Sequence, residues 1–194
     1  MCVPVSSLAA PAEALSSTAE QAVRICDRVD DRPGSEARDE LERGLTLGEA
    51  AVAASDQDAK AHFAVFCNLA KLTYLDGFSM RSLFAVWRLR REIDRAIELQ
   101  PDYTDALIAK AGLLLNLPVW LGGDAGEAER LLRRAVEIEP DRILPRLYLA
   151  EALLALGARA QAAEQAHYAL ALAQRADRPA QAAAARTLIA RLEK

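Results

Sequence analysis

Two histidines and three cysteines are all the imidazole and thiol that 194 residues contain, and that scarcity removes most metal and nucleophilic chemistry from consideration. His62 and His167 belong to different helical patterns and are read as structural. His62 and Cys67 are five residues apart, which puts them on different faces of a helix rather than on the shared i, i+4 face that two ligands of one metal use. Gly122-Gly123 lacks the lysine and hydroxyl residue of a phosphate-cradling loop. No enzyme, no metal and no cofactor is therefore expected.

Positive charge is also short. A net charge of −4 and a pI near 5.3 argue against a nucleic-acid partner, which calls for a clustered basic excess. Arg88, Arg91 and Arg95 form a stripe at helical spacing, but Glu92, Asp94 and Glu98 interleave with it, predicting a solvated, salt-bridged face. No run approaches the roughly 18 apolar residues of a membrane helix, and the first basic residue is Arg24, so neither a span nor a leader is spelled out. As written the chain is expected in the cytoplasm. The alternative, a periplasmic or lipid-anchored protein, rests on Cys2 directly after Met1, where a trimmed bacterial lipoprotein carries its cysteine. Cys26 and Cys67 read as free, small apolar side chains within helices, and three cysteines in a chain this long predict no disulfide framework.

Aromatics make up only 5% of the chain, and residues 1–58 have none. Six of the ten, Phe63, Phe66, Tyr74, Phe78, Phe84 and Trp87, fall in one helical pair, where the thickest packing is expected. What fills the rest is alanine and leucine at helical spacing, in a chain that is 52% hydrophobic. The segment from Ala128 through Leu132 and Ala135 to Pro140-Asp141 echoes Arg95-Ala96 through Pro101-Asp102; each alanine lies five residues before its proline. A two-helix repeat of roughly 34 residues keeps small residues where helices cross and a proline where the next hairpin begins. A third copy, Leu149-Ala150, Leu153, Ala162, Ala166 and Ala169, follows with Gly157 at its turn. Pro101 and Pro140 stand 39 residues apart, so about five residues beyond the repeat length must bulge as a loop.

The pattern predicts an all-α, tetratricopeptide-like helical-hairpin solenoid of about nine helices in one domain. Residues 1–11 are a loose terminus. A helical pair over 12–58 follows, with Leu15, Ala19, Ala22, Cys26 and Val29 on the first helix. Asp30-Asp-Arg-Pro-Gly34 breaks the pair, Ser35 caps its second member, and Gly48 lies on that helix's buried face. Hairpins over 59–175 come next, with helices near 59–75, through Leu99, 104–116, 125–139, 142–156 and 159–175. The enlarged loop from Leu117 to Gly123 is closed by Asp124 and Glu127 as a capping box. A capping helix over 179–194 buries Ala184, Leu188, Ile189 and Leu192.

Leu117-Pro118, Gly122-Gly123-Asp124, the Ala128, Leu132, Ala135, Pro140 series, Arg146 through Glu151 and the earlier stretch Phe63 to Lys71 carry a likeness. From about Ala59 to Ala173 the chain resembles the T component of bacterial TRAP-type transporters and, more distantly, the regulators of microtubule dynamics. The resemblance implies an all-helical accessory protein that binds a solute-binding partner and forms rings.

Stacked hairpins curve, so the first helix of each pair lines a concave side. Helical counting puts Lys60, Phe63, Cys67 and Lys71 there, then Asp105, Ile108, Gly112 and Leu115, then Leu144, Leu147, Glu151 and Leu154. This side is mainly apolar. Only Lys60, Lys71 and Asn68 match the residue types of a carboxylate clamp, so a protein partner or an apolar ligand is favoured. Residues 1–58 folding back to fill the groove is an equal alternative. Trp120 is either a binding anchor or a lid on its own hairpin. Arg146 either pairs with Glu139 or Glu151 or offers charge beside Tyr148. The expected function is a non-catalytic adaptor using the concave side and the 117–124 loop; the alternative is a self-assembling subunit whose apolar face is used between copies.

Overall fold

The computed structural model describes residues 10–29, 34–77 and 80–193, with the side chains of 10–17, 34 and 80–83 set aside. All regular structure among the described residues is helical, as the spacing of alanine and leucine predicts. The chain divides into two compact units, residues 1–101 and 102–194. No helix among the described residues is long and apolar enough to cross a membrane.

The first unit holds α1 (Ala10–Arg28), α2 (Gly34–Ala54), α3 (Ala59–Asp76) and α4 (Met80–Leu99). Helix α1 packs on both α2 and α3, α2 packs on α3, and α3 pairs with α4. Small residues set these distances. Ala19, Ala22 and Cys26 are wholly buried at spacings of three and four, and Ala51 and Ala61 oppose the first of them. Gly44 and Gly48 of α2 lie so close to α3 that a Cβ on Gly48 would stand 3.0 Å from the Val65 nitrogen. Ile25, Val29, Leu41 and Leu72 form a second shared core, each leucine burial contributing roughly 1.5–3 kcal/mol. Asp58 starts α3 by accepting from the N–H groups of Lys60 and Ala61, which satisfies donors the first turn leaves open.

Several expectations change in this unit. Ser35 lies inside α2, whose first residue is Gly34, so it is no N-cap. Cys26 and Cys67 are not free thiols: they form a disulfide, with Cα atoms 6.1 Å apart. Counting cysteines along the chain missed this because the pairing is set by the crossing of α1 over α3, 41 residues apart. The aromatic crowd is split. Phe63 and Phe66 are buried with ring centroids 6.5 Å apart, whereas Tyr74, Phe84 and Trp87 are 87, 72 and 72% exposed. The inward seam of α4 is Val86, Leu89, Ile93 and Ala96, and residues 84 and 87 fall off that seam. The loose terminus over 1–11, Cys2, most of the Asp30–Gly34 break and Phe78 lie largely outside the described residues.

The second unit holds α5 (Thr104–Asn116), a single 3₁₀ turn (Val119–Leu121), α6 (Ala125–Ile138), α7 (Ile143–Ala155), α8 (Arg159–Arg175) and α9 (Pro179–Leu192). Each helix packs on the next, α7 also meets α5, and α9 meets α7. Ala128, Leu132, Ala135, Ala162, Ala166 and Ala169 are all wholly buried, so the repeat's small residues are the helix seams. Ile143, Leu147, Leu172 and Ala185 gather α7, α8 and α9 into one core. In α9 the buried positions are Ala182, Ala185, Leu188 and Leu192. Ala184 faces outward and Ile189 is half-buried, one step off the expected face.

Candidate functional site

The enlarged loop is built from backbone bonds. Leu117 N–H closes α5 onto the Leu113 carbonyl, and the Pro118 carbonyl accepts from both Leu121 and Gly123 at 2.9 and 3.0 Å. Gly122 sits in the left-handed region with φ 87°, where a side chain is strained. At Gly123 a Cβ would lie 1.9 Å from the Leu117 carbonyl oxygen, so only glycine lets the chain double back there. Asp124 then caps α6 by accepting from Glu127 N–H at 2.9 Å. The reciprocal half of the expected capping box is absent: Asp124 N–H goes to the Leu114 carbonyl, and the Glu127 carboxylate meets Lys110 of α5 at 2.7 Å. The loop is therefore tied to α5 and α6 at both ends, and it presents Trp120 at 72% exposure with Val119 beside it.

In α7, Arg146 pairs with neither Glu139 nor Glu151. It is buried, donating from Nε and Nη2 to the Pro140 carbonyl at 3.0 and 2.9 Å and from Nη1 to Gln165 at 2.9 Å. Its guanidinium lies 3.9 Å from the centre of the Tyr168 ring, a cation–π contact. Arg146 thus locks α7 to α8. Glu139 bonds Arg142, which also reaches Asp105 of α5. Burial lowers the Arg142 guanidinium pKa, but Asp105 and Glu139 outweigh this and hold it above its ordinary value. Tyr148 is half-buried on another side of α7 and faces Gly112 of α5, where a Cβ would stand 3.5 Å from its ring. Leu115 is half-buried, while Ile108 and Leu147 are core residues. Glu151 is exposed; desolvation of its carboxyl pushes its pKa up, and Arg191 opposes this.

In the first unit the expected groove side of α3 is covered. Cys67 is bonded to Cys26, Lys71 donates to the Cys26 carbonyl at 2.8 Å, and Asn68 donates to the Ala22 carbonyl at 3.1 Å. Lys60 pairs with Glu20 at 2.8 Å. The partners, Glu20, Ala22 and Cys26, all belong to α1, and Phe63 is buried. Within this unit, of the two alternatives, the N-terminal helix occupies that side of α3. The three residues matching a carboxylate clamp, Lys60, Asn68 and Lys71, are all engaged by it.

Sequence reasoning missed a buried pair. His62 Nδ1 meets Glu92 Oε2 at 2.7 Å, and His62 Nε2 faces the Asp56 carbonyl at 3.3 Å. Val52, Asp56, His62, Arg91, Glu92, Asp94, Arg95 and Glu98 surround a cleft of about 440 Å³. Burial raises the Glu92 pKa, but hydrogen bonds from Arg91 and His62 outweigh it and leave the carboxyl below its ordinary range. Glu92 is thus no part of a solvated face; of the expected stripe, Arg88 pairs with Glu49 and Arg95 with Asp56 and Glu98, while Arg91 bonds Glu92 and Asp94 Oδ1 is buried. Nothing local couples residues 62 and 92. The exposed aromatics Phe84 and Trp87, by contrast, had a signal in the seam they sit beside.

No protein-family pattern matches the chain, and no curated protein sequence matches it. Among solved structures, it is similar to TTC0263, a thermophilic TPR protein of Thermus thermophilus, at 18% identity and a TM-score of 0.59, covering 89% of this chain and 99% of that one. It is also similar to a MamA double mutant (RS-1 ArsTM) at 18% identity and a TM-score of 0.55, covering 91% and 94%. At these identities the likeness is one of fold, and it agrees with the helices and seams: the chain has a tetratricopeptide-like helical-hairpin fold.

Proposed function

We propose that this chain is a non-catalytic helical-repeat adaptor that binds a protein partner through the 117–124 loop and the neighbouring side of α5 and α7. The observation that carries the reading is the exposed Trp120 on a turn whose backbone is bonded back to α5 and α6. A large amphipathic ring carried on a fixed backbone is suited to anchoring a partner, because no loop has to be ordered when the partner buries it. The accessible members of the expected site, Leu115, Tyr148 and Glu151, lie on α5 and α7 of the same unit. Two neighbours of tetratricopeptide-like fold support a scaffold role. The resemblance of residues 59–173 to the T component of TRAP-type transporters supports an accessory subunit of a solute-transport system, with an apolar ligand as the alternative cargo.

Self-assembly is the second reading, favoured by the exposed Tyr74, Phe84 and Trp87 of the first unit. A photo-crosslinking amino acid placed in turn at Trp120 and at Trp87 separates the two in cells. An adduct from position 120 with a different protein supports the adaptor, and an adduct from position 87 at twice the chain's mass supports self-assembly. A folded variant at position 120 that crosslinks to nothing sinks the loop-side site.

A further inference from the structure

Helices α2 and α4 each pack along α3, and neither packs comparably on the other. Helix α1 packs on α2 and α3 but not on α4, so no described helix of the first unit covers the interval between α2 and α4. Two cavities lie there, each bounded by α2 or the turn after it, by α3 and by α4. One is the cleft of about 440 Å³ beside His62; the other, of about 230 Å³, is lined by Leu45 of α2, Leu69 and Leu72 of α3 and Ala85 of α4. Between them the Arg88–Glu49 ion pair bridges α4 to α2. That pair is partly exposed and contributes little, so it parts readily. The cavities are two ends of one trough whose floor is α3 from His62 to Leu72. At 1.5 Å per residue the ends stand about 10–15 Å apart.

The two ends differ in chemistry. The narrower has apolar walls, with the Arg38–Asp76 ion pair beside them. The described side chains around the wider one comprise four carboxylates and two guanidiniums, and two of the carboxylates, Asp56 and Glu98, are 69 and 66% exposed. Arg95 meets both only at 3.3 to 3.5 Å, longer than a strong charge-assisted bond, and each carboxylate keeps capacity to accept from a further cation. The imbalance extends to the whole unit. Residues 1–101 hold sixteen Asp and Glu against twelve Lys and Arg, whereas 102–194 hold twelve of each. The net charge of −4 therefore resides in the unit that carries the trough, where it attracts cations across roughly a Debye length, about 8–10 Å.

We propose that this trough is a docking site for a basic amphipathic helix of a protein partner. The helix sets an apolar side chain among Leu45, Leu69 and Leu72 and, two turns along the same face, a lysine or arginine between Asp56 and Glu98. Two turns of helix advance about 10.8 Å, which matches the spacing of the ends. The apolar side chain supplies burial, as in other helix-in-groove contacts, and the carboxylates select the sign of the partner's charge. The trough belongs to the first unit and is independent of the 117–124 loop.

Titration of the full chain with a labelled leucine–lysine peptide, helical over about four turns with its leucines on one face, tests the site by fluorescence anisotropy. A leucine–glutamate peptide of the same pattern is the control. The lysine peptide should bind, and the glutamate peptide should bind about tenfold more weakly or worse. An Asp56→Asn, Glu98→Gln double variant should weaken the lysine peptide about tenfold. Ala85→Trp, which fills the narrower cavity, should weaken it by a similar factor. A Glu137→Gln, Glu164→Gln double variant removes the same charge from exposed positions of the second unit and should leave the affinity unchanged. Circular dichroism melting checks that each variant is folded. Equal affinity for the two peptides overturns the proposal, as does no binding of the lysine peptide at about 1 mM. So does equal loss in the two double variants, which would make the attraction one of net charge alone.

Discussion

His62 Nδ1 stands 2.7 Å from a Glu92 carboxylate oxygen, with the two side chains 4 and 5% exposed. This contact joins α3 to α4 across 30 residues of chain, and Arg91 bonds the other oxygen of the same carboxylate at 2.6 Å. A buried carboxylate persists only when paired in this way, because removing one partner strands the other without water.

Replacing Glu92 with alanine should destabilise the first unit by about 3 kcal/mol, read as a lower urea midpoint. The pH dependence has a definite sign. The folded Glu92 pKa lies below its ordinary value of about 4.5, so its contribution is fully present above pH ~4.5 and is lost as pH falls through the folded value. Glu20, depressed mainly by its hydrogen bond with Lys60, titrates in the same direction. The Glu92→Gln variant isolates the buried group: its urea midpoint should fall less between pH 6 and pH 3 than that of the unaltered chain. Equal slopes would mean that Glu92 is not paired as described.

Reduction of the disulfide should lower stability measurably. For a closed loop of 41 residues the chain-entropy estimate is about 4 kcal/mol. Guanidinium unfolding monitored by circular dichroism, with and without reductant, should show the shift, and a Cys26→Ala, Cys67→Ala double variant should show none on reduction.

Gly123→Ala should cost about 2 kcal/mol, because its Cβ would meet the Leu117 carbonyl oxygen at 1.9 Å and the turn must open. Circular dichroism melting reports the loss. A change under 0.5 kcal/mol would show that the loop is not pinned.

Trp120→Ala should leave stability within about 0.5 kcal/mol, since the ring is mostly in water. Leu132→Ala, in the seam of the next helix, should cost about 2–5 kcal/mol because Leu132 is wholly buried. If the two variants melt alike, Trp120 is packed against its own hairpin and serves as a lid.

Helix positions were largely legible because hydrogen bonds within a helix are local: α5 spans Thr104–Asn116 as the pattern placed it, and α3, α6, α7 and α8 depart by a residue or two at most. The loop between Leu117 and Asp124 was legible for a different reason, an excess over the repeat length with two glycines inside it. The partners of Arg146 were not. Its guanidinium turned to the Pro140 carbonyl and the Tyr168 ring because α8 crosses α7 there, a fact of approach between helices that spacing along either one does not contain.

Composition and periodicity alone therefore determined that this chain is all-helical and that Ala128, Ala135, Ala162 and Ala169 would be seams, since both follow from 3.6 residues per turn and the need to bury apolar faces. Only the tertiary structure decided that Cys26 meets Cys67, that His62 meets Glu92, and that Arg146 turns to the Tyr168 ring. Each of those depends on where one helix crosses another and at what rotation. The crossing is set by the summed packing of many side chains, not by the neighbours of any one of them.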